Sequence, residues 1–278
     1  MAGNKAAIKA RIKSINTTKK ITGAMELIST VKLQKNRNQM EKTIAYNDTL
    51  EDVLVQILSG ENEINSEYLI DKDIERKVFI VFCSDMGLCG GYNININKMV
   101  FNDVNKDDYL ILIGTKLYSI LKRSGYNIIN DPISLDKADY MEIKKCADRA
   151  INLFKDNEVG SINCIYTKFV NNVTFRAINK KVLPVTIEKQ EKNYKQILFE
   201  PSPDAIIEDL IPKVVENEVY RLFNESRTSE QGNRRFAMEN ATNNANDLNE
   251  KLLLAYNQAR QAAITSEITE IVAGADAL

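Results

Sequence analysis

The chain has 278 residues, 44% of them hydrophobic, with 37 basic and 38 acidic side chains and a net charge of −1. That content supports one sizeable core, and the balanced charge gives no global attraction to nucleic acid or anionic lipid. There is no histidine, which removes His-based triads, His metal sites and the commonest general base.

Residues 4–58 carry a helical pattern without proline. Ile8, Ile12 and Ile15 recur at spacings of four and three. The rhythm restarts at Ile21, Met25 and Ile28 and continues through Leu33, Met40 and Ile44. So narrow a stripe predicts a two-helix seam. Gly23 is a weak spot, costing about 1 kcal/mol against alanine in a helix interior, unless another backbone approaches it. Charge is uneven here: residues 1–42 hold ten Lys or Arg against Glu26 and Glu41, and residues 43–75 hold nine Asp or Glu against Lys72. A solvated coil surface and a basic half that meets an acidic partner both fit this distribution.

The pattern fails around Ser59, Gly60 and Asn62. Apolar runs at 78–83 and 109–113 read as buried strands, segments 92–103, 115–124 and 139–156 as helices, and 160–169 and 173–187 as further strands. Alternating strands and helices predict a mostly parallel sheet covered on both faces. Asn171 and Asn172 supply turn chemistry for a closing antiparallel hairpin. Pro201 and Pro203 end this region, and a helix is expected from about Asp204 to 276. Along it Ala241, Ala245, Leu248, Leu252, Ala255, Ala259 and Ala262 form a second stripe, and Ile264, Ile268, Ile271 and Val272 an apolar tip that fits a socket in another protein. At 1.5 Å per residue the two terminal helices would span roughly 80 and 110 Å. No stretch approaches the ~20 apolar residues of a membrane helix, so a soluble chain is expected that meets a membrane only through a partner.

Motifs for chemistry are sparse. Ser84 to Asn93, SDMGLCGGYN, is a glycine-rich turn between strand and helix, where phosphate cradles occur. Its glycines, Gly87, Gly90 and Gly91, match neither dinucleotide nor P-loop spacing, and a tight packed turn is the expected role. Gly114, Thr115 and Lys116 imitate the end of a P-loop without its first glycine. Asp85, Asp131 and Asp136 are expected as turn and cap residues rather than magnesium ligands. Cys83, Cys89, Cys146 and Cys164 lack C-x-x-C spacing, and Cys83 and Cys164, set in apolar strand patterns, read as small buried hydrophobes, which fits a reducing interior. No cofactor, metal or catalytic residue is expected. Arg260, Gln261, Thr265 and Glu267 interrupt the apolar tip, either as the outer face of a coil or as polar contacts to a surrounding protein.

Three blocks of the sequence, RIKSINTTKKITGAMELISTVKL (residues 11–33), SDMGLCGGYN and ATNNANDLNEKLLLAYNQARQAAITSEITEIVAGADAL (residues 241–278), occur in this order in one family. The chain closely resembles the gamma subunit of the F-type ATP synthase, the central rotor shaft, over essentially its whole length. The resemblance implies an α/β protein: a long antiparallel coiled coil of N- and C-terminal helices plus a Rossmann-like domain with a mostly parallel sheet. Its expected parts are 1–60 (first coil helix), 61–202 (foot) and 203–278 (second coil helix). It further implies a non-catalytic rotor whose partners are three alpha and three beta subunits, epsilon and the membrane c ring. No nucleic-acid partner, no direct membrane insertion, and a peripheral place at the cytoplasmic face of the cell membrane go with that. Contacts to the alpha/beta ring would come from Met25, Lys32, Lys35, Arg37, Arg260, Gln261, Thr265, Glu267 and Ile268. Contacts to the c ring and epsilon would come from Phe199, Glu200 and Pro201. The sequence departs from the family's pattern at Gly23, where a longer, basic residue is common, and at Gly232-Asn233, where alanines are. A nucleotide enzyme using SDMGLCGGYN and a coiled-coil nucleic-acid binder using the basic first helix are the rival classes. The second is weakened because thirteen acidic against seven basic residues follow position 203.

Overall fold

The computed structural model describes residues 2–58, 66–186 and 202–276. Two long helices, α1 (Ala2–Leu58) and α5 (Pro203–Asp276), bracket β1 (Lys77–Phe82), α2 (Tyr92–Asp103), β2 (Tyr109–Ile113), α3 (Tyr118–Arg123), β3 (Asn127–Ile128), α4 (Tyr140–Lys155), β4 (Ser161–Phe169) and β5 (Phe175–Leu183). The chain divides into two compact units, Met1–Thr30 with Arg234–Leu278, and Val31–Asn233.

In the larger unit the strands form one sheet in the order β3-β2-β1-β4-β5. β1, β2, β3 and β4 pair in parallel, and β5 returns antiparallel to β4. The continuous apolar runs follow from burial on both faces. Val78, Ile80 and Phe82 enter one core with α4 residues Ile143, Ala147 and Phe154 and α5 residues Ile211, Val215 and Leu222. Phe79, Val81 and Cys83 point the other way, against Ile96 and Val100 of α2 and Leu121 of α3. The β4–β5 turn uses the predicted chemistry: the Asn171 side-chain oxygen accepts the Val173 and Thr174 N–H groups at 3.0 and 2.8 Å. α4 starts on a capping box between Asp139 and Glu142, which satisfies two otherwise orphaned N–H groups.

Also within this unit, α1 and α5 run antiparallel. Asn36 reaches the Arg227 carbonyl, Thr43 accepts from Asn224, and Leu54 lies beside Val214 and Val215. Pro212 sits inside α5, where it removes one helix hydrogen bond. In the smaller unit the contact of α1 with α5 includes a 2.8 Å bond between the hydroxyls of Thr242 and Thr22.

The phase of the seam differs from the sequence expectation. A set of half-buried and buried positions of α1 within the smaller unit, spaced by four and three, is Ile8, Ile12, Ile15, Lys19, Thr22, Glu26 and Ser29. The same alternation of four and three continues in the larger unit with Leu33, Asn36, Met40, Thr43, Asn47, Leu50, Leu54 and Ile57. Ile21 and Ile28 therefore face outward, and Ile28 is 59% exposed. A strict 3.5-residue repeat can be held by small polar residues that bond across or along the helix; choosing the apolar residues alone shifted the stripe by one position. On α5 the protected phase is Met238, Thr242, Ala245, Asn249, Leu252, Tyr256, Ala259, Ala263 and Ser266, whereas Leu248 and Ala262 are exposed.

Candidate functional site

The glycine-rich turn lies in the larger unit, at the carboxyl end of β1. Gly91 caps α2 without a side-chain bond, and the turn then closes on itself. Asn93 accepts from the Ser84 N–H at 3.0 Å and donates to the Ser84 hydroxyl at 2.6 Å, which in turn donates to the Met86 carbonyl at 2.6 Å. Leu88 and Gly90 adopt positive φ of 63° and 57°, and the Met86 and Leu88 side chains stand out in solvent. Such a turn presents apolar side chains outward, while the polar side chains of Ser84 and Asn93 serve one another.

Asp85 gathers the neighbouring loops. Its carboxylate accepts from the N–H groups of Thr115, Leu135 and Asp136 and from the Ser134 hydroxyl, at 2.7–3.1 Å. Asp85 and Asp136 are thus brought together through a backbone N–H; Asp131 stands exposed outside this set. Gly114 has φ +106°, and a Cβ there would lie 1.9 Å from the Cys83 carbonyl oxygen. Only glycine fits so close a crossing, so Gly114-Thr115-Lys116 is a strand end and not part of a phosphate loop. All four cysteines are buried free thiols. Burial pushes Cys83 up to about 12 and Cys146 up to about 11, leaving little thiolate for chemistry.

The predicted contact residues on α1 are only partly at the surface. Met25 is half-buried, Lys35 is exposed, and Arg37 pairs with Glu41 one turn on, at 3.0 Å. Lys32 already has a partner in its own chain, the Asp136 carboxylate at 2.8 Å, so any external acid must share or displace it. What the sequence reading missed on α1 is apolar. Within the smaller unit Ile21, Leu27 and Ile28 turn outward, Leu27 being 69% exposed. A heptad counted back from Leu33 and Met40 would have placed them there.

Arg260, Gln261, Thr265, Glu267 and Ile268 are all exposed. Thr265 turns its hydroxyl back to the Gln261 carbonyl at 3.0 Å, and Leu254, Ile264, Ile271 and Val272 project outward beside them, Ile271 being 72% exposed. Phe199, Glu200 and Pro201 lie outside the described residues.

A polar cluster inside the larger unit was also missed. From Leu222 to Gly232 every residue of α5 except Arg227 is buried, yet most are polar. Arg221 forks onto Glu218 at 2.6 and 2.7 Å and reaches Glu225 at 3.1 Å, while Lys180 joins Glu218 at 2.7 Å. Burial pushes the Glu218 carboxyl up, but the bonds and charge of Arg221, with Lys180, outweigh it and hold it below the ordinary carboxylate value. In Glu225 burial wins over Arg221 and the Phe169 N–H, and the carboxyl is raised. Gly232 lets the Phe175 ring lie directly on the helix: a Cβ would come within 2.6 Å of it. At Gly23, by contrast, an added Cβ would meet nothing within 4 Å, so no close approach within the chain requires glycine there.

Comparison with known proteins places these features. A family model described as ATP synthase matches residues 4–278. The ATP synthase gamma chain of Clostridium acetobutylicum is 40% identical over 275 residues, covering 98% of this chain and 97% of the relative, and that of Clostridium kluyveri is 41% identical over 281 residues, at 98% and 97% coverage. A solved chain of the Euglena gracilis mitochondrial ATP synthase, from its OSCP/F1/c-ring assembly, superposes with a TM-score of 0.71 at 18% identity, covering 100% of this chain and 95% of that one. A chain of the same enzyme's rotor gives 0.68 at 14% identity, covering 95% and 100%. These structures share the fold, and the full-length sequence matches carry the assignment: the chain belongs to the ATP synthase gamma chain family.

Proposed function

We propose that this chain is the rotating central shaft of an F-type ATP synthase, a part without catalytic residues of its own. The observation that carries the reading is the outward apolar surface of the smaller unit. Leu27 and Ile28 on α1, and Leu254, Ile268 and Ile271 on α5, are large side chains left in water on a two-helix unit. Exposed apolar surface of this extent calls for a surrounding partner, and three alpha and three beta subunits would supply a sleeve. Met25, Lys35, Arg260, Gln261, Thr265, Glu267 and Ile268 would contribute contacts there. Lys32 and Arg37 would do so after sharing their internal carboxylates. Epsilon and the c ring would meet the region of Phe199, Glu200 and Pro201.

A chemically uneven shaft within a near-threefold ring touches its three catalytic subunits differently. Each contact that favours an open or a closed conformation shifts nucleotide affinity by the difference in contact free energy. Rotation permutes the three states, and ion flow through the membrane ring supplies torque for ATP synthesis, or is driven in reverse by hydrolysis. No helix among the described residues is long and apolar enough to cross a membrane, in keeping with peripheral attachment at the cytoplasmic face through the complex. The test is purification of the chain under native conditions. It should bring down two larger nucleotide-binding subunits in a three-to-three-to-one ratio, and the isolated chain should not hydrolyse ATP. Turnover by the pure polypeptide would overturn the proposal.

A further inference from the structure

Four consecutive residues of α5 in the larger unit each hold a different part of their surroundings. Asn224 donates to the Thr43 hydroxyl of α1 at 3.3 Å. The Glu225 carboxylate accepts the Phe169 N–H of β4 at 3.2 Å. The Ser226 hydroxyl lies 2.7 Å from the Tyr92 hydroxyl of α2 and accepts the Thr167 N–H of β4 at 3.4 Å. Arg227 donates to the Asp136 carbonyl at 3.0 Å, in the loop fastened by Asp85. Successive helix residues differ in direction by about 100°, so these four side chains point roughly 60–100° apart and encircle the helix.

A helix buried on all sides is ordinarily apolar, and apolar side chains of similar volume would bury here at least as favourably as this polar set. Dispersion contacts, however, are weakly directional, whereas a hydrogen bond weakens steeply as its angle departs from linear. A polar collar therefore fixes something that an apolar one does not: the rotation of α5 about its own axis and its position along it. The Arg221 fork onto Glu218 and Glu225, with Lys180 of β5 on Glu218, extends the grip one turn further.

We infer that Asn224 to Arg227 and the groups they hold form a torsional lock, fixing the rotational phase of α5 against the sheet so that torque passes between them without slip. The proposal rests on the shaft role proposed above. These are positioning residues; none of them is offered as a contact to the catalytic subunits.

The experiment uses the assembled synthase in inverted membrane vesicles, with ATP hydrolysis and the membrane potential it generates, followed by a potential-sensitive dye, measured on the same sample. The triple variant Tyr92→Phe, Asn224→Leu, Ser226→Ala replaces hydrogen-bonding groups by apolar ones of similar shape. Each bond lost should raise the ratio of slipped to locked arrangements roughly two- to tenfold, so hydrolysis should persist while the potential per ATP hydrolysed falls below that of the wild type. A purely structural lesion would lower both together through loss of assembled complex. An unchanged ratio in an intact complex would overturn the lock. If the triple variant does not assemble, the pair Tyr92→Phe with Ser226→Ala, which removes two hydroxyls, is judged by the same two outcomes. Vesicles reconstituted without this chain serve as a separate control: a potential as large as with it would defeat the shaft role itself, whatever the variants do.

Discussion

α5 carries two runs rich in polar residues, 218–231 and 257–270, and their environments are opposite. The first is enclosed, its amide, carboxylate and hydroxyl side chains bonded to α1, α2, β4 and β5. The second is almost wholly exposed, with Thr265 and Thr269 turned back onto their own helix. Composition does not separate the two; the supply of partners does. A buried polar run must be satisfied inside the molecule, and that satisfaction specifies a geometry. An exposed run mixed with isoleucines leaves both its polar and its apolar groups for another molecule.

The sharpest way to break this contrast is to remove the central cation of the enclosed run. Arg221→Met leaves Glu218 and Glu225 buried without their main partner, and urea unfolding of the isolated chain should show a loss of about 3–5 kcal/mol. Arg260→Ala in the exposed run should change stability by no more than about 0.5 kcal/mol. Equal losses would mean that the enclosure confers nothing.

Two glycines sharpen the same point at a smaller scale. Because a Cβ at Gly232 would press on the Phe175 ring, Gly232→Ala should cost about 1–3 kcal/mol by overpacking, and Phe175→Leu in the same chain should recover most of it. Gly23→Ala should instead stabilise by about 1 kcal/mol, since the added methyl meets nothing and alanine is the better helix former. The two substitutions are chemically identical, and thermal unfolding that shifted both in one direction would contradict the packing described.

The sequence showed where β1 and β2 lie because each, buried on both faces, had to be a continuous apolar run; Val78 to Cys83 and Tyr109 to Ile113 carry no ambiguity. The hairpin was legible for a local reason, the bonding of Asn171 to its own turn. β3 was not, since two residues on the sheet edge leave no periodicity, and α3 begins at Tyr118 rather than Thr115 because Thr115 is held by Asp85. The seam was misphased where Thr22 and Ser29 occupy it in place of Ile21 and Ile28. Of the site, the exposure of Arg260 to Ile268 could be anticipated from the length of the helix. The enclosure of Asn224 to Arg227 could not, because Thr43, Tyr92 and Phe169 lie far away in sequence and nothing local announces them.

Acid should separate two carboxylates of the enclosed run. Glu218 has its pKa lowered in the folded chain, so its contribution is present above the ordinary carboxylate value of 4.5 and is lost as the pH falls through its lower folded value. Glu225 is shifted the other way; its charged form is the disfavoured one in the fold, and protonation relieves that cost as the pH falls through its raised value. Glu218→Gln should therefore lower the urea midpoint at neutral pH and flatten its fall below pH 4.5. Glu225→Gln keeps an acceptor for the Phe169 N–H and should be milder at neutral pH. A Glu225→Gln variant more damaged than Glu218→Gln would reverse the assignment of which carboxylate Arg221 and Lys180 serve.

The smallest effects should come from the exposed run. Ile268→Ser or Ile271→Ser removes a side chain that is already in water, so the isolated chain should unfold within about 0.5 kcal/mol of wild type. In the assembled complex, where a sleeve would cover them, each should weaken retention of the chain only slightly, because dispersion contacts are individually small and shared along the helix. Replacing Leu254, Ile264, Ile268 and Ile271 together should lower coupling far more than any one of them. That cooperativity, read as potential generated per ATP hydrolysed, distinguishes a distributed bearing from a single anchoring residue: one serine that alone matched the fourfold variant would mark an anchor instead.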